Sequence, residues 1–174
     1  MTAFTAAATA AIMAACGGGG GSSSSSGTST TISGSAVKGP VNNATVTVKN
    51  AASGAVLGTT TTSSTGTYTL SVPFSGDVVV EVSDGTYIDE ATNATTPLAT
   101  PMRVVINANG GNVTGVVTPL TTLAYTYAFG TSGAPATPTA TAFNAVAANL
   151  ATQFQLTGVN LATTVPAVTG TVND

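Results

Sequence analysis

The strongest constraint in this sequence is a two-residue period that recurs in short runs. Residues 43–49 read NATVTVK, so Ala44, Val46 and Val48 fall on one side of an extended chain and Thr45 and Thr47 on the other. Such alternation marks a half-buried strand. Residues 67–72, TYTLSV, repeat it with Tyr68, Leu70 and Val72. Further short runs lie at 30–36, 55–61, 77–83, 86–89, 102–106 and 112–117. Turn signals separate them: Lys38-Gly39-Pro40, Ala52-Ser53-Gly54, residues 63–66, residues 73–76 and Asp84-Gly85. The 77–83 run, with Val78, Val79, Val80 and Val82, is the most apolar and is expected at the centre of a sheet. The last two runs are expected to form a hairpin across 107–111. Seven or eight strands spaced about 8–12 residues apart predict a mainly β fold, an antiparallel immunoglobulin-like β-sandwich over 30–117.

Composition excludes much else. The 174 residues include 35 Thr, 29 Ala and 20 Val, against 8 Leu and 4 Ile, which suits strands and turns better than long helices. Charged residues make up 5% of the chain, where an average soluble protein has about 25%. The net charge is −3 and the basic residues are Lys38, Lys49 and Arg103, so a nucleic-acid partner is not expected. With no His and a single Cys, neither the usual zinc sites nor a His-based triad can form. No cofactor, metal or catalytic residue is expected, and the chain is not expected to be an enzyme.

The N-terminal stretch reads as an address and a tether. Residues 1–15, MTAFTAAATAAIMAA, are small, apolar and uncharged. They are shorter than the roughly 20 residues that span a bilayer and fit the apolar part of a secretory signal. Cys16 follows, then five Gly and five Ser at 17–26. Met13-Ala14-Ala15-Cys16 resembles the lipobox of bacterial lipoproteins, with Met13 where Leu is commonest. The resemblance implies cleavage after Ala14-Ala15, lipidation of Cys16, and anchoring in a bacterial outer membrane or at the cell surface. Lipid chains contribute about 0.8 kcal/mol per buried methylene, and stable anchoring takes more than one chain. Residues 16–29 are then a Gly/Ser-rich tether, which behaves as a flexible coil.

Ile32-Ser33-Gly34, Gly39-Pro40-Val41, Ala44-Thr45-Val46-Thr47-Val48 and Thr65-Gly66-Thr67-Tyr68-Thr69-Leu70 follow one another in the order of the carboxypeptidase regulatory-like family, which they resemble. Asn43 and Ser64 depart from that family's usual Gly and Asp. The resemblance covers roughly 32–85. It implies a transthyretin-like sandwich serving as a spacer, adhesion or accessory domain rather than a catalyst.

From Thr118-Pro119 the pattern changes to a helical one, with Thr as N-cap and Pro at the first helical position. Leu120, Leu123, Ala124 and Tyr127 are expected on one helical face. Thr137-Pro138 repeats the start signal. Phe143, Val146, Ala147, Leu150 and Phe154 form a second stripe, and Gly158 is the expected stop. The run from Val117 to Ala124 resembles a segment that follows regulatory-like domains in large bacterial surface lipoproteins. Residues 118–174 are therefore expected to be a short α-helical segment, the start of a truncated further domain or a layer on the sandwich.

Few residues carry chemistry. Asp84, Asp89 and Glu90 flank one short strand and are the best calcium candidates, though surface charge is the simpler reading. Lys38 and Lys49 are expected in solvent. A Lys–Asn isopeptide bond assisted by Glu81 is a rarer option. The sequence thus points to a non-catalytic, lipid-anchored surface module with a spacer, adhesion or carbohydrate- or protein-binding role. Its partners would be a membrane through Cys16 and an extracellular protein or glycan. The alternatives are self-assembly into a filament by strand exchange, or an accessory domain of a larger secreted enzyme.

Overall fold

The computed structural model describes residues 28–130 and 137–167. Nine strands and two helices lie among them: β1 (Thr30–Ser35), β2 (Thr45–Asn50), β3 (Val56–Thr61), β4 (Thr67–Val72), β5 (Gly76–Ser83), β6 (Thr86–Asp89), β7 (Ala94–Pro97), β8 (Met102–Ala108), β9 (Gly111–Thr114), α1 (Pro119–Phe129) and α2 (Ala140–Gln153). Seven strands make the sandwich. One sheet has the order β4-β1-β9, the other β3-β2-β5-β8, and β6 and β7 form a separate two-stranded ribbon. The mainly β, immunoglobulin-like fold followed by helices is as the sequence implies.

The core is a valine core. Val46 and Val48 of β2, Val78, Val80 and Val82 of β5, and Val104 of β8 are fully buried and aligned across the four-stranded sheet. Ile32 of β1 and Tyr68 and Val72 of β4 supply buried apolar or aromatic side chains to the three-stranded sheet. Each such side chain contributes about 1.5–3 kcal/mol by leaving water. The Tyr68 hydroxyl donates to the Gly115 carbonyl, and burial pushes its ionisation far above the ordinary phenol range. β5 pairs with β2 and β8 and is central, as its apolar run implies.

The expected 107–111 hairpin does not form. β8 belongs to the four-stranded sheet, whereas β9 runs parallel to β1 in the other, pairing Thr30 with Gly111 and Ser33 with Thr114. Gly110 and Gly111 both adopt left-handed φ angles, 85° and 74°, and carry the chain across between sheets. β7 went unseen in the sequence because its four residues end in Pro and are mostly exposed, leaving no alternation to read. β6 pairs with β7 and lies outside the sandwich sheets.

Both helices pack on the outer face of the four-stranded sheet, where Val79 and Val105 are buried. Thr118 caps α1 and Pro119 opens it, as expected. The buried stripe is rotated from the expected one. Thr121, Ala124 and Phe129 are buried, while Tyr127 is 70% exposed. Thr121 can be buried because its hydroxyl accepts from the Thr118 N–H at 2.8 Å and donates to the Thr118 carbonyl at 2.9 Å. Sequence reading had no reason to put a hydroxyl inward. In α2 the N-cap is Thr139, two residues after the expected start, and Phe143, Ala147 and Leu150 are buried. Phe154 is the exposed C-cap, and the helix ends before Gly158, with Gln155 left-handed at φ 57°.

Candidate functional site

The sequence-predicted lipidation residue Cys16 and the cleavage residues Ala14 and Ala15 lie outside the described residues. Among the described residues, no helix is long and apolar enough to cross a membrane.

Two features of the described region stand out, one polar and one an apolar groove. The first is a charge ladder on the outer face of the four-stranded sheet. Glu81 of β5 accepts from Lys49 Nζ at 2.8 Å through one carboxylate oxygen and from Arg103 Nε at 2.7 Å through the other. Arg103 also stacks over the Tyr125 ring of α1, at 5.4 Å. Strand pairing dictates this: Glu81 lies directly opposite Arg103 on β8 and diagonal to Lys49 on β2. Partial burial works against the Glu81 charge. Hydrogen bonds from Lys49 and Arg103, and their positive charges, outweigh it and hold the carboxyl below the usual carboxylate range. Lys49 is therefore not the free surface lysine expected from its strand end. Glu81 is engaged by two cations and has no asparagine among its hydrogen-bond partners, which leaves the isopeptide option without support.

The helical layer is fastened to the same sheet by polar side chains. Thr122 accepts from the Arg103 backbone N–H at 3.0 Å and so closes the outer edge of β8. Asp77 accepts from the Asn107 side chain at 2.7 Å and from the N–H of Ala140, the first residue of α2, at 3.2 Å. A carboxylate there also suits the positive end of the helix dipole.

The second feature is at one end of the sandwich. A groove of about 640 Å³ opens between the 37–39 turn, the start of α1 and the segment after α2. Val37, Leu120, Leu156, Val159 and Leu161 line it, with Glu90 at its rim. Lys38 Nζ lies 4.8 Å from the centre of the Tyr87 ring beside it. Sequence reading missed this groove; its trace there is the apolar Leu156, Val159 and Leu161 beyond the helical stripe.

The proposed calcium residues are not assembled. Asp84 accepts from the Ser83 hydroxyl at 3.1 Å. Asp89 accepts from the N–H of Ala91 and from the N–H and hydroxyl of Thr92 within its own turn. The Thr92 bonds foremost, and Lys38 to a lesser degree, hold Asp89 below the usual carboxylate range. Among the described residues, no group of three potential ligands is placed to hold a metal ion.

No family profile matches the chain, and no curated protein matches it. Solved structures do. The major pilin subunit BcpA of Bacillus cereus is 20% identical over 52% of this chain and 30% of its own, with a TM-score of 0.36. The shaft pilin SpaA of Lactobacillus rhamnosus GG is 12% identical over 52% of this chain and 48% of its own, at 0.34. A DUF3823 family protein of Parabacteroides merdae is 16% identical over 53% of this chain and 47% of its own, at 0.36. The chain therefore spans less than half the length of each of these proteins.

Proposed function

We propose that this protein is a non-catalytic, lipid-anchored module of a bacterial cell surface. In this reading Cys16 carries the acyl chains, residues 16–29 form the tether, and the sandwich with its helical layer is the part displayed. Its task is that of a spacer or of an adhesive domain binding protein or glycan. The observation that supports the non-catalytic part is that Glu81, Asp77 and Asp89 are each engaged in structural bonds. Glu81 is held by Lys49 and Arg103, Asp77 by Asn107 and α2, and Asp89 by its own turn. The anchoring part rests on the placement of Cys16 where the apolar run meets the Gly/Ser run.

The test is the intact mass of the chain recovered from the membrane fraction of an expressing bacterium. The expected species begins at Cys16 with acyl chains added, and Cys16→Ser releases the protein from the membrane. A species that retains residues 1–15 with a free thiol overturns the anchor.

Strand exchange is the second reading, and one observation favours it. β9 is a four-residue edge strand, and a cavity of about 320 Å³ lined by Val105, Ile106, Val113 and Ala162 opens beside it. A strand from a second copy would pair there. Light scattering that stays monomeric across a concentration series removes this reading.

A further inference from the structure

The connection between β8 and β9 contains the chain's one Asn-Gly pair, Asn109-Gly110. Asn109 is exposed. Glycine places no side chain over its own nitrogen, so in such a pair that nitrogen is a latent nucleophile toward the asparagine carboxamide. Here the nitrogen is held. The Gly110 N–H donates to Thr30 Oγ1 at 3.0 Å. The Thr30 hydroxyl in turn donates to the Phe74 carbonyl at 2.9 Å, which keeps its lone pair aimed at Gly110. Thr30 is fully buried. The neighbouring Gly111 N–H donates to the Ser29 carbonyl at 3.2 Å. A Cβ built on Gly110 would lie 2.8 Å from Thr28 Cγ2, so residues 28–30 close tightly over the turn.

We propose that Asn109 is a self-modification site, converting to aspartate and isoaspartate, and that the clasp of residues 28–30 holds this conversion back. The Gly110 nitrogen loses its proton to solvent and attacks Asn109 Cγ. A nitrogen–carbon bond forms, the bond from Cγ to the carboxamide nitrogen breaks, and ammonia leaves with a solvent proton. Water then opens the cyclic imide at either carbonyl. One opening gives aspartate; the other gives isoaspartate, with an extra methylene in the backbone. Water is the only co-reactant. The altered residue lies in the link that carries the chain from one sheet to the other. Residues 28–30 directly follow the Gly/Ser-rich segment. Fraying of that junction, a local opening of the kind that precedes global unfolding, thus leaves a permanent chemical mark.

The experiment follows Asn109 by peptide mass spectrometry, separating aspartate from isoaspartate, while the full chain is incubated at mildly alkaline pH. A synthetic peptide covering the β8–β9 connection gives the unrestrained rate. The folded chain is expected to convert more slowly than the peptide. Thr30→Val is expected to convert about fivefold faster than the native chain, the factor that the net worth of one hydrogen bond supplies. Thr30→Ser keeps the hydroxyl and is expected to match the native rate. Thr28→Gly loosens the clasp from outside the sheet and is expected to quicken conversion without removing the bond. A native chain that converts at the peptide rate overturns the proposal, even should Thr30→Val fail to fold. So does a folded Thr30→Val chain that converts at the native rate.

Discussion

The two sheets of the sandwich share one core but differ on their outer faces. In the three-stranded sheet the outward residues include Thr31 and Ser33 of β1, Thr69 and Ser71 of β4, and Asn112 and Thr114 of β9, all polar and none buried. Thr31 and Ser71 share a hydrogen bond at 2.9 Å across the strands. In the four-stranded sheet the outward positions include Val79 and Val105, buried beneath the helices, and the Lys49–Glu81–Arg103 ladder. Among the described residues, no helix packs on the first sheet. The second needs a helical layer and a paired charge to complete it. A strand that faces apolar surroundings on both sides reads as a continuous apolar run, and a strand with one wet face reads as alternation. Val79 and Val105 break the alternation on the outer face of β5 and β8, and that is the face on which the helices lie.

The largest effect expected is on the first sheet, at Gly34. A Cβ there would lie 1.8 Å from the Gly115 carbonyl oxygen and 2.9 Å from the Tyr68 hydroxyl. The oxygen belongs to the backbone that follows β9 and cannot swing aside. Gly34→Ala is therefore expected to cost more than about 5 kcal/mol or to prevent folding, beyond the common range for single substitutions. Chemical denaturation followed by circular dichroism measures this. A loss below about 1 kcal/mol would mean that β9 is free to part from β1. On the second sheet the corresponding break is Phe143→Ala. Phe143 is fully buried where α2 meets the rest of the core, and its truncation is expected to cost about 3–5 kcal/mol. Hydrogen exchange should show whether β5 and β8 lose protection together with α2. Loss in α2 alone would make the helices a separable cover rather than part of one cooperative unit.

The sandwich was legible in the sequence because its signals are local. NATVTVK and TYTLSV alternate within a few residues, and 77–83 holds four valines, with Val79 apolar on the face opposite the other three, so strand identity and the central place of β5 follow. Partner choice is not local. Residues 112–117 look like the return half of a hairpin with 102–106, yet β9 crosses to lie parallel to β1. The decisive contacts, Gly110 to Thr30 and Gly115 to Ser33, link residues some 80 positions apart, beyond what periodicity can reveal. The charge ladder failed to show for the same reason, since Lys49, Glu81 and Arg103 stand on three separate strands. In α1, a stripe rule that sorts residues by hydrophobicity placed Tyr127 inward, whereas a capped hydroxyl let Thr121 take the buried position.

Glu81→Gln sharpens the contrast at a smaller magnitude. The side chain is 16% exposed, while those of Lys49 and Arg103 are about a third exposed and can return to water. The cost therefore falls between those of a surface pair and a buried one, at about 1–2 kcal/mol at neutral pH. The pH dependence has a definite sign. The folded carboxyl titrates below the unfolded value of about 4.3, so its stabilisation is complete above that pH. It is lost as pH falls through the lower, folded value. Thermal melts from neutral pH down to acid should show the native chain losing stability in that window and the Gln variant losing less. Equal slopes would mean that the ladder does not persist in solution.

The smallest effect tests whether the three-stranded sheet faces only water. Ser33 points outward between Thr69 and Thr114 on the neighbouring strands. Ser33→Val gains a few tenths of a kcal/mol in strand preference, and it exposes a small apolar group that water tolerates on a scattered basis. The net change in stability is expected to stay within about 0.5 kcal/mol, as for a surface substitution with no special role. Thermal melts across a protein concentration series measure it. A midpoint that moves by more than this, and moves further as concentration rises, would mean that the hydroxyl face is covered by a second copy in solution. The three-stranded sheet would then resemble its partner after all, with another chain doing for its outer face what α1 and α2 do for the other.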